Sequence, residues 1–328
     1  MRPTAVFAIL ALAAGVSPVV ADDAAALMKR GEAALSAGAA AEAAGLFEKA
    51  RKADPAVALE ASWGLARAAF ARGEHKKALE IANTLVQAEK RRDRLAAVLM
   101  FKGVVLSKSE VARDLAEAEA VFRSAAELAP TSPAPLYSLG VLQIVGGRLE
   151  EGVATLQQCS AVAPDTDLAH RAARIVRKPT LAGKTLAPDF KILTLSGETV
   201  TPAALEGRVV LLDFWATWCP PCVASVSEIK ALRRKWPEDQ FALVSVSADR
   251  DEAAWRRFVA GHGMSWPQYR DADHRLTDAF RVSGFPTYVL LDRDGAEIRR
   301  LVGLNERQTV GYRLQQELDA LLGKPKLP

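Results

Sequence analysis

Cys219-Pro220-Pro221-Cys222 is the segment of this 328-residue chain best suited to chemistry. Two thiols separated by two residues can close a disulfide within one helical turn. A thiolate in such a pair can attack a disulfide sulfur on another molecule and exchange the bond. A structural zinc clip needs four ligands, and neither Cys159 nor the histidines His75, His170, His262 and His274 form a second pair at ligand spacing. The pair therefore reads as a redox couple, with no metal, flavin or nucleotide implied. A peroxidase would carry Pro and Thr ahead of a single peroxidatic cysteine, whereas Ala216-Thr217-Trp218 precedes Cys219 with no proline.

Reactivity depends on the elements that hold the pair. Val209-Val210-Leu211-Leu212-Asp213-Phe214-Trp215 predicts a buried central strand, so Cys219 falls at the N-terminus of the helix that follows. Unpaired N–H groups and the helix dipole stabilise a thiolate there. Cys222, one turn on, is expected to be more buried and to resolve a mixed disulfide from inside. Phe241 to Val246 predicts a second strand. Thr287–Leu291 and Glu297–Val302 predict a hairpin through Asp292-Arg293-Asp294-Gly295, whose Asp-Gly step outweighs its likeness to a calcium loop because no closing Glu follows. A final helix is expected from about Glu306 to Leu322, with Val310, Leu314, Leu318 and Leu321 facing the sheet. Strands alternating with helices imply a mixed α/β domain over residues 186–323. Trp215 reads as core and Trp218 as part of a docking surface.

Three segments carry a family likeness: Ala187-Pro188-Asp189-Phe190, Asp213 through Cys222, and Gly284-Phe285-Pro286-Thr287. Together they resemble the TlpA/ResA branch of thioredoxin-like proteins over about residues 186–323. The resemblance implies a thioredoxin-like fold and an exported enzyme that supplies reducing equivalents to oxidised proteins. It implies a membrane-embedded thiol reductase as electron donor. It also implies a cis Pro286 facing the cysteines, a Phe285 backbone offered to an extended substrate, and a buried Asp213 that accepts the Cys222 proton. Substrate contact is accordingly assigned to Trp218, Pro220, Pro221, Phe285 and Pro286. The chain departs from many members in having Ser225 where they carry Glu and Ser227 where they carry Pro, which weakens the implied link to cytochrome maturation.

The first half repeats itself. Ala43, Phe47, Ala50 and Pro55 recur in spacing as Ala118, Phe122, Ala125, Pro130 and as Gly152, Leu156, Cys159, Pro164. Small residues let paired helices approach, the large residue fills the groove, and proline ends the unit. Gly38, Gly73 and Gly147 mark turns between paired helices, and Gly73 reveals a further unit with Ala78, Ala82 and Leu85. Pro130 and Pro164 are 34 residues apart, whereas Pro55 and Pro130 are 75 apart, two periods plus seven. An insertion between the second and third units is expected, with Ser107-Lys108-Ser109-Glu110 the candidate. The pattern resembles tetratricopeptide (TPR) repeats over about residues 22–164. Asp165–Val176, with Leu168, Ala172 and Ile175 on one face, predicts a closing helix, and residues 179–185 a linker. The chain is thus multi-domain: an all-α TPR-like region over 22–178, then the α/β thioredoxin-like region. A repeat groove can hold a peptide or protein ligand, or the array can simply pack on its neighbour. Cys159 replaces the Ala of other units and reads as a packing thiol.

Residues 1–21 read as a secretory signal: Arg2, an apolar run from Ala5 to Val16, then Ser17-Pro18 and Val19-Val20-Ala21 before Asp22. The protein is therefore expected to be exported, periplasmic or otherwise extracytoplasmic, and membrane-tethered if the leader is retained. A net charge of +4, with no basic run interleaved with aromatics, argues against nucleic acid. The partners expected are disulfide-containing or dithiol proteins. The competing reading is a TPR-based assembly or adaptor protein whose cysteines only regulate it.

Overall fold

The computed structural model describes residues 23–303 and 309–323. The leader and the first turn expected of the last helix, from Glu306, lie outside the described residues. No helix among them is long and apolar enough to cross a membrane. The chain forms two compact units, one ending at Glu89 and one beginning at Lys90.

The first unit contains two helix pairs, α1 (Ala24–Ser36) with α2 (Ala40–Ala53) and α3 (Ala58–Ala71) with α4 (His75–Ala88). Gly38 and Gly73 take φ of 78° and 76° in the turns between them, a left-handed conformation that glycine adopts at no steric cost. Phe47 on α2 is wholly buried, and a Cβ at Gly31 or Gly64 would lie 2.7 Å from its ring. The glycines therefore hollow out the space that the aromatic fills. Phe47→Ala is expected to destabilise this unit by about 3–5 kcal/mol, read as earlier loss of amide protection in α1–α3 during native-state hydrogen exchange.

The second unit begins with α5 (Arg92–Leu106), α6 (Ala112–Leu128), α7 (Pro133–Val145), α8 (Leu149–Val162) and α9 (Asp167–Arg177). The seven extra residues are spread through the third helix pair, and the candidate segment Ser107-Lys108-Ser109-Glu110 lies in the turn that holds two of them. That turn, 107–111, is two residues longer than the turn at 37–39, α6 has 17 residues against 14 in α2, and α5 has 15 against 13 in α1. Ser109 organises the long turn by bonding the Asp114 carboxylate at 2.6 Å.

Helix α9 differs from the expected closing element in two ways. Its buried stripe is Ala169, Ala172 and Ile175, with Leu168 only half-buried, and its polar side is docked on the α/β part. Asp167 accepts from the backbone N of Asp189, His170 pairs with Asp189 at 2.6 Å, Arg174 donates to the carbonyl of Asp294, and Lys178 binds the Asp294 carboxylate. The segment expected as a linker is packed as well. Leu181 and Leu186 join Leu156, Cys159, Ala172, Ile175 and Ala296 in one apolar cluster, so repeat and sheet share a core. The Cys159 thiol lies wholly inside this cluster, donates to the carbonyl of Pro133 at 3.4 Å, and is pushed up to about 11 by burial.

The α/β part starts with a short hairpin, β1 (Ile192–Leu193) and β2 (Thr199–Val200), and a single turn of helix, α10 (Pro202–Leu205). Then come β3 (Val209–Trp215), α11 (Pro220–Arg233), β4 (Phe241–Ser247), α12 (Glu252–Gly261), β5 (Gln268–Arg270), α13 (Arg275–Ala279), β6 (Thr287–Leu291), β7 (Glu297–Val302) and α14 (Val310–Leu322). The sheet order is β5-β4-β3-β6-β7, with β3 and β4 wholly buried. Strands β3, β4 and β5 run parallel, joined by helical crossovers, and β6 and β7 run antiparallel. One face packs on α11, α12 and α14 and the other on Phe190, Leu205, Leu276 and Phe280. Of the residues assigned to the sheet-facing side of α14, Val310, Leu314 and Leu318 are buried, but Leu321 is exposed. Leu322, beside it, packs on the core instead.

Candidate active site

Strand β3 ends at Trp215 and the chain makes a turn, closed by Cys219 N donating to Ala216 O at 3.2 Å, before α11 begins. Cys219 is the N-cap of that helix and is disulfide-bonded to Cys222, with Cα atoms 5.2 Å apart. Pro220 and Pro221 occupy the first two helical positions and have no N–H to offer. Among the first amides of α11, Val223 N bonds the Cys219 carbonyl at 3.0 Å. That leaves Cys222 N, which donates to Cys219 Sγ at 3.3 Å. The two prolines therefore direct the helix terminus onto one sulfur through one amide, while the helix dipole adds its positive end.

Both sulfurs are covered in the disulfide form: Cys219 is 4% exposed and Cys222 2%, so burial alone barely separates them. Trp218 is 61% exposed and sits edge-on to Phe285 at 5.8 Å between ring centroids. Pro220 is exposed and Pro221 half-buried. The Phe285–Pro286 peptide bond is cis, with Phe285 half-buried and Pro286 buried at the start of β6. A groove of about 480 Å³ opens beside Trp218, lined on its other side by Ala248, Arg250, Asp251, Ala254 and His274.

Beneath α11 the strand register assembles a polar row that sequence reading finds only at Asp213. Gln268 pairs with Ser245, Ser245 with Asp213, and Asp213 with Tyr288 across β5, β4, β3 and β6. Neighbours in register share a face, and here it is the face that also carries Leu211, Trp215, Leu243 and Leu290 under Cys222, Val226 and Ile229. Ser245 Oγ donates to Asp213 Oδ2 at 2.8 Å and accepts from Trp266 Nε1 at 2.8 Å. Burial outweighs that single bond and pushes the Asp213 carboxyl up to about 7. Ser225 is buried and bonded both to the Cys222 carbonyl and to the Tyr288 hydroxyl, each at 2.7 Å. Burial first, and then the nearby Asp213 charge, raise the Tyr288 phenol, which stays a neutral donor to Ser225. Ser227 is exposed.

A second buried carboxylate, Asp249, was not singled out from sequence. It follows β4 and accepts hydrogen bonds from Thr217 and Ser247. The readable signal was Ser245 and Ser247 inside an otherwise apolar strand, since buried polar groups persist where they have partners. The histidines sit on helix ends or surfaces: His75 stacks on Phe70, His262 on Phe258, and His170 pairs with Asp189. In the β6–β7 turn Asp292 accepts from the backbone N of Asp294 and Ala296, so its carboxylate organises the hairpin.

Comparison with known proteins agrees with this geometry. The Redoxin family matches residues 181–312, and tetratricopeptide repeat families match 34–99 with 112–175, and 7–58. The thiol-disulfide oxidoreductase ResA of Bacillus thuringiensis (strain Al Hakam) is 30% identical over 127 residues, covering 38% of this chain and 73% of that protein. The chain belongs to the redoxin-type thiol-disulfide oxidoreductases, and it carries tetratricopeptide repeats in addition. ResA of Halalkalibacterium halodurans is 31% identical over 38% of this chain and 70% of its own length. A solved thiol-disulfide oxidoreductase from Bacteroides fragilis is 28% identical, covers 42% of this chain and all of its own, and has a TM-score of 0.37. In this oxidoreductase the fold class read from sequence, helical repeats followed by a thioredoxin-like sheet, is the one present.

Proposed function

We propose that this oxidoreductase is an exported reductase of protein disulfides. The observation that carries the reading is the placement of Cys219 at the N-cap of α11, bonded to Cys222 and flanked by an exposed aromatic. In the reduced form the Cys219 thiolate attacks a sulfur of the partner's disulfide. A Cys219–partner bond forms, the partner's own S–S bond breaks, and its second sulfur leaves as a thiolate and takes up a proton. Cys222 then loses its proton to the Asp213 carboxylate and attacks Cys219 Sγ. The mixed disulfide breaks, the partner leaves with both thiols, and two electrons have passed from this chain to it. Trp218 and Phe285 supply an apolar contact beside the sulfur, and Pro220, Pro221 and Pro286 shape the rim.

Export follows from the leader-like composition of residues 1–21. A membrane-embedded thiol reductase would then restore the dithiol. The repeats serve partner docking, consistent with a groove of about 390 Å³ among α6, α7 and α8 that mixes Leu136 and Leu139 with Arg123, Glu127 and Glu151. Residues 179–185 join the repeat region to the catalytic region.

The direction of electron flow is tested by equilibrating the mature chain against dithiothreitol or glutathione buffers and trapping free thiols. A potential below about −200 mV, on the thioredoxin side of the known range, is expected for a reductase. A value near −120 mV, in the range of strong disulfide donors, would reverse the assignment.

A further inference from the structure

Among the buried carboxylates of the catalytic region, Asp249 has no part in the exchange chemistry described above, yet its oxygens are aimed at the turn that carries Cys219. It is 2% exposed. Thr217 N approaches both carboxylate oxygens, at 3.2 Å and 3.0 Å, and Thr217 Oγ1 donates to Oδ1 at 2.6 Å. Ser247 Oγ donates to Oδ2 at 2.5 Å and accepts from the Asp249 backbone N at 3.0 Å. Ala248 N donates to Trp215 O at 2.9 Å, so residues 247–249 run alongside 215–217 and hold them.

The place of Thr217 gives these bonds a catalytic consequence. Residues 216–219 form one turn, closed from Cys219 N to Ala216 O, and Thr217 and Trp218 are its two corners. One corner is clamped through backbone and side chain together. The other, Trp218, projects into solvent beside the sulfur, with the Phe285 ring edge as its described ring contact. Both carboxylate oxygens accept from these donors, and an amide in the same place would turn an NH₂ group toward at least one of them.

We propose that Asp249 is a positioning residue for disulfide exchange: by clamping Thr217 it fixes the Trp218 corner and the direction in which Cys219 presents its sulfur. The residue touches no reacting atom and acts through the turn. This rests on Cys219 being the attacking sulfur, as proposed above.

Asp249→Asn and Thr217→Val, each in the full chain, test it. The first removes the charge and at least one acceptor. The second keeps the carboxylate, the Ser247 bond and the backbone N–H, and loses only the Oγ1 bond. Turnover of a peptide disulfide is measured together with the ¹⁹F resonance of Trp218 in 5-fluorotryptophan-labelled protein, assigned with Trp218→Phe. The expected result is a loss in kcat/KM of about tenfold for Asp249→Asn and about threefold for Thr217→Val, with the Trp218 resonance shifted or broadened in both. Rates within twofold of wild type in the folded variants would overturn the proposal, and so would a rate loss with an unmoved Trp218 resonance. If Asp249→Asn does not fold, Thr217→Val decides alone. Unimpaired turnover by Cys219→Ser would instead sink the underlying assignment of the attacking sulfur, which separates the two failures.

Discussion

Cys219→Ser is expected to leave no turnover of protein disulfides above background, a loss on the order of a thousandfold or more, while Cys222→Ser still attacks but cannot finish. The asymmetry does not come from burial, since the two residues differ by only 4% against 2% exposure in the disulfide form. It comes from the first turn of α11. With prolines at its first two positions, the amide aimed at a sulfur is Cys222 N, and the sulfur it reaches is Cys219. A negative charge at Cys219 is thus met by a hydrogen bond and by the dipole, whereas Cys222 sits inside the helix, both residues bordering the same apolar cluster. Mixed with an oxidised protein substrate, Cys222→Ser should accumulate a covalent adduct on a non-reducing gel that dithiothreitol releases. Adduct formation by Cys219→Ser would invert the assignment. The same variant distinguishes an enzyme from a repeat-based adaptor: an adaptor would keep its partners in a pull-down and lose nothing that depends on turnover.

How much of this was legible in the sequence depends on how local the determinant is. The cysteine pair, the central strand, the hairpin turn and the repeat glycines are set by residues within a few positions of one another, and each stands where the pattern placed it. The additional residues of the third helix pair were detectable as a count. Their distribution over a turn and two helices was not, because lengthened helices keep their periodicity. The docking of α9 escaped for another reason. Its polar stripe looks the same whether it faces water or Asp189 and Asp294, and those partners lie up to 120 residues away. Likewise the row of Gln268, Ser245, Asp213 and Tyr288 exists only after four strands take their register. Asp213 could be picked out because the family resemblance implies a buried acid six residues before Cys219. Tyr288 carries no such local mark and Asp249 only the serines of the strand before it, and their roles appear through the hydrogen bonds of Ser225 and Thr217.

Asp213→Asn is expected to produce the largest change in pH behaviour, in two independent measurements. Burial under α11 holds the carboxyl protonated up to about pH 7 in the folded chain, against a Ser245 bond that favours the ionised form. In the unfolded chain the same group ionises near pH 4. Between those values the folded state binds more protons than the unfolded state, so Asp213 makes the free energy of unfolding fall as pH rises from about 4 to about 7 and leaves it level above. The Asn variant lacks this loss. Above pH 7 it should be more stable than wild type by up to about 4 kcal/mol, and below about pH 4 the two should converge. Urea titrations on the disulfide form isolate the effect, because Cys219 and Cys222 do not titrate there and the Cys159 thiol is held up to about 11. In the reduced form the kinetic consequence has the opposite sign. Only the ionised Asp213 can take the Cys222 proton, so resolution of the mixed disulfide in wild type should accelerate as pH rises through about 7. The Asn variant should be slower by about a hundredfold at pH 8 and nearly equal at pH 5. A variant that gains stability at alkaline pH while losing resolution there would tie both effects to one buried proton. Parallel pH curves for variant and wild type would remove Asp213 from the mechanism.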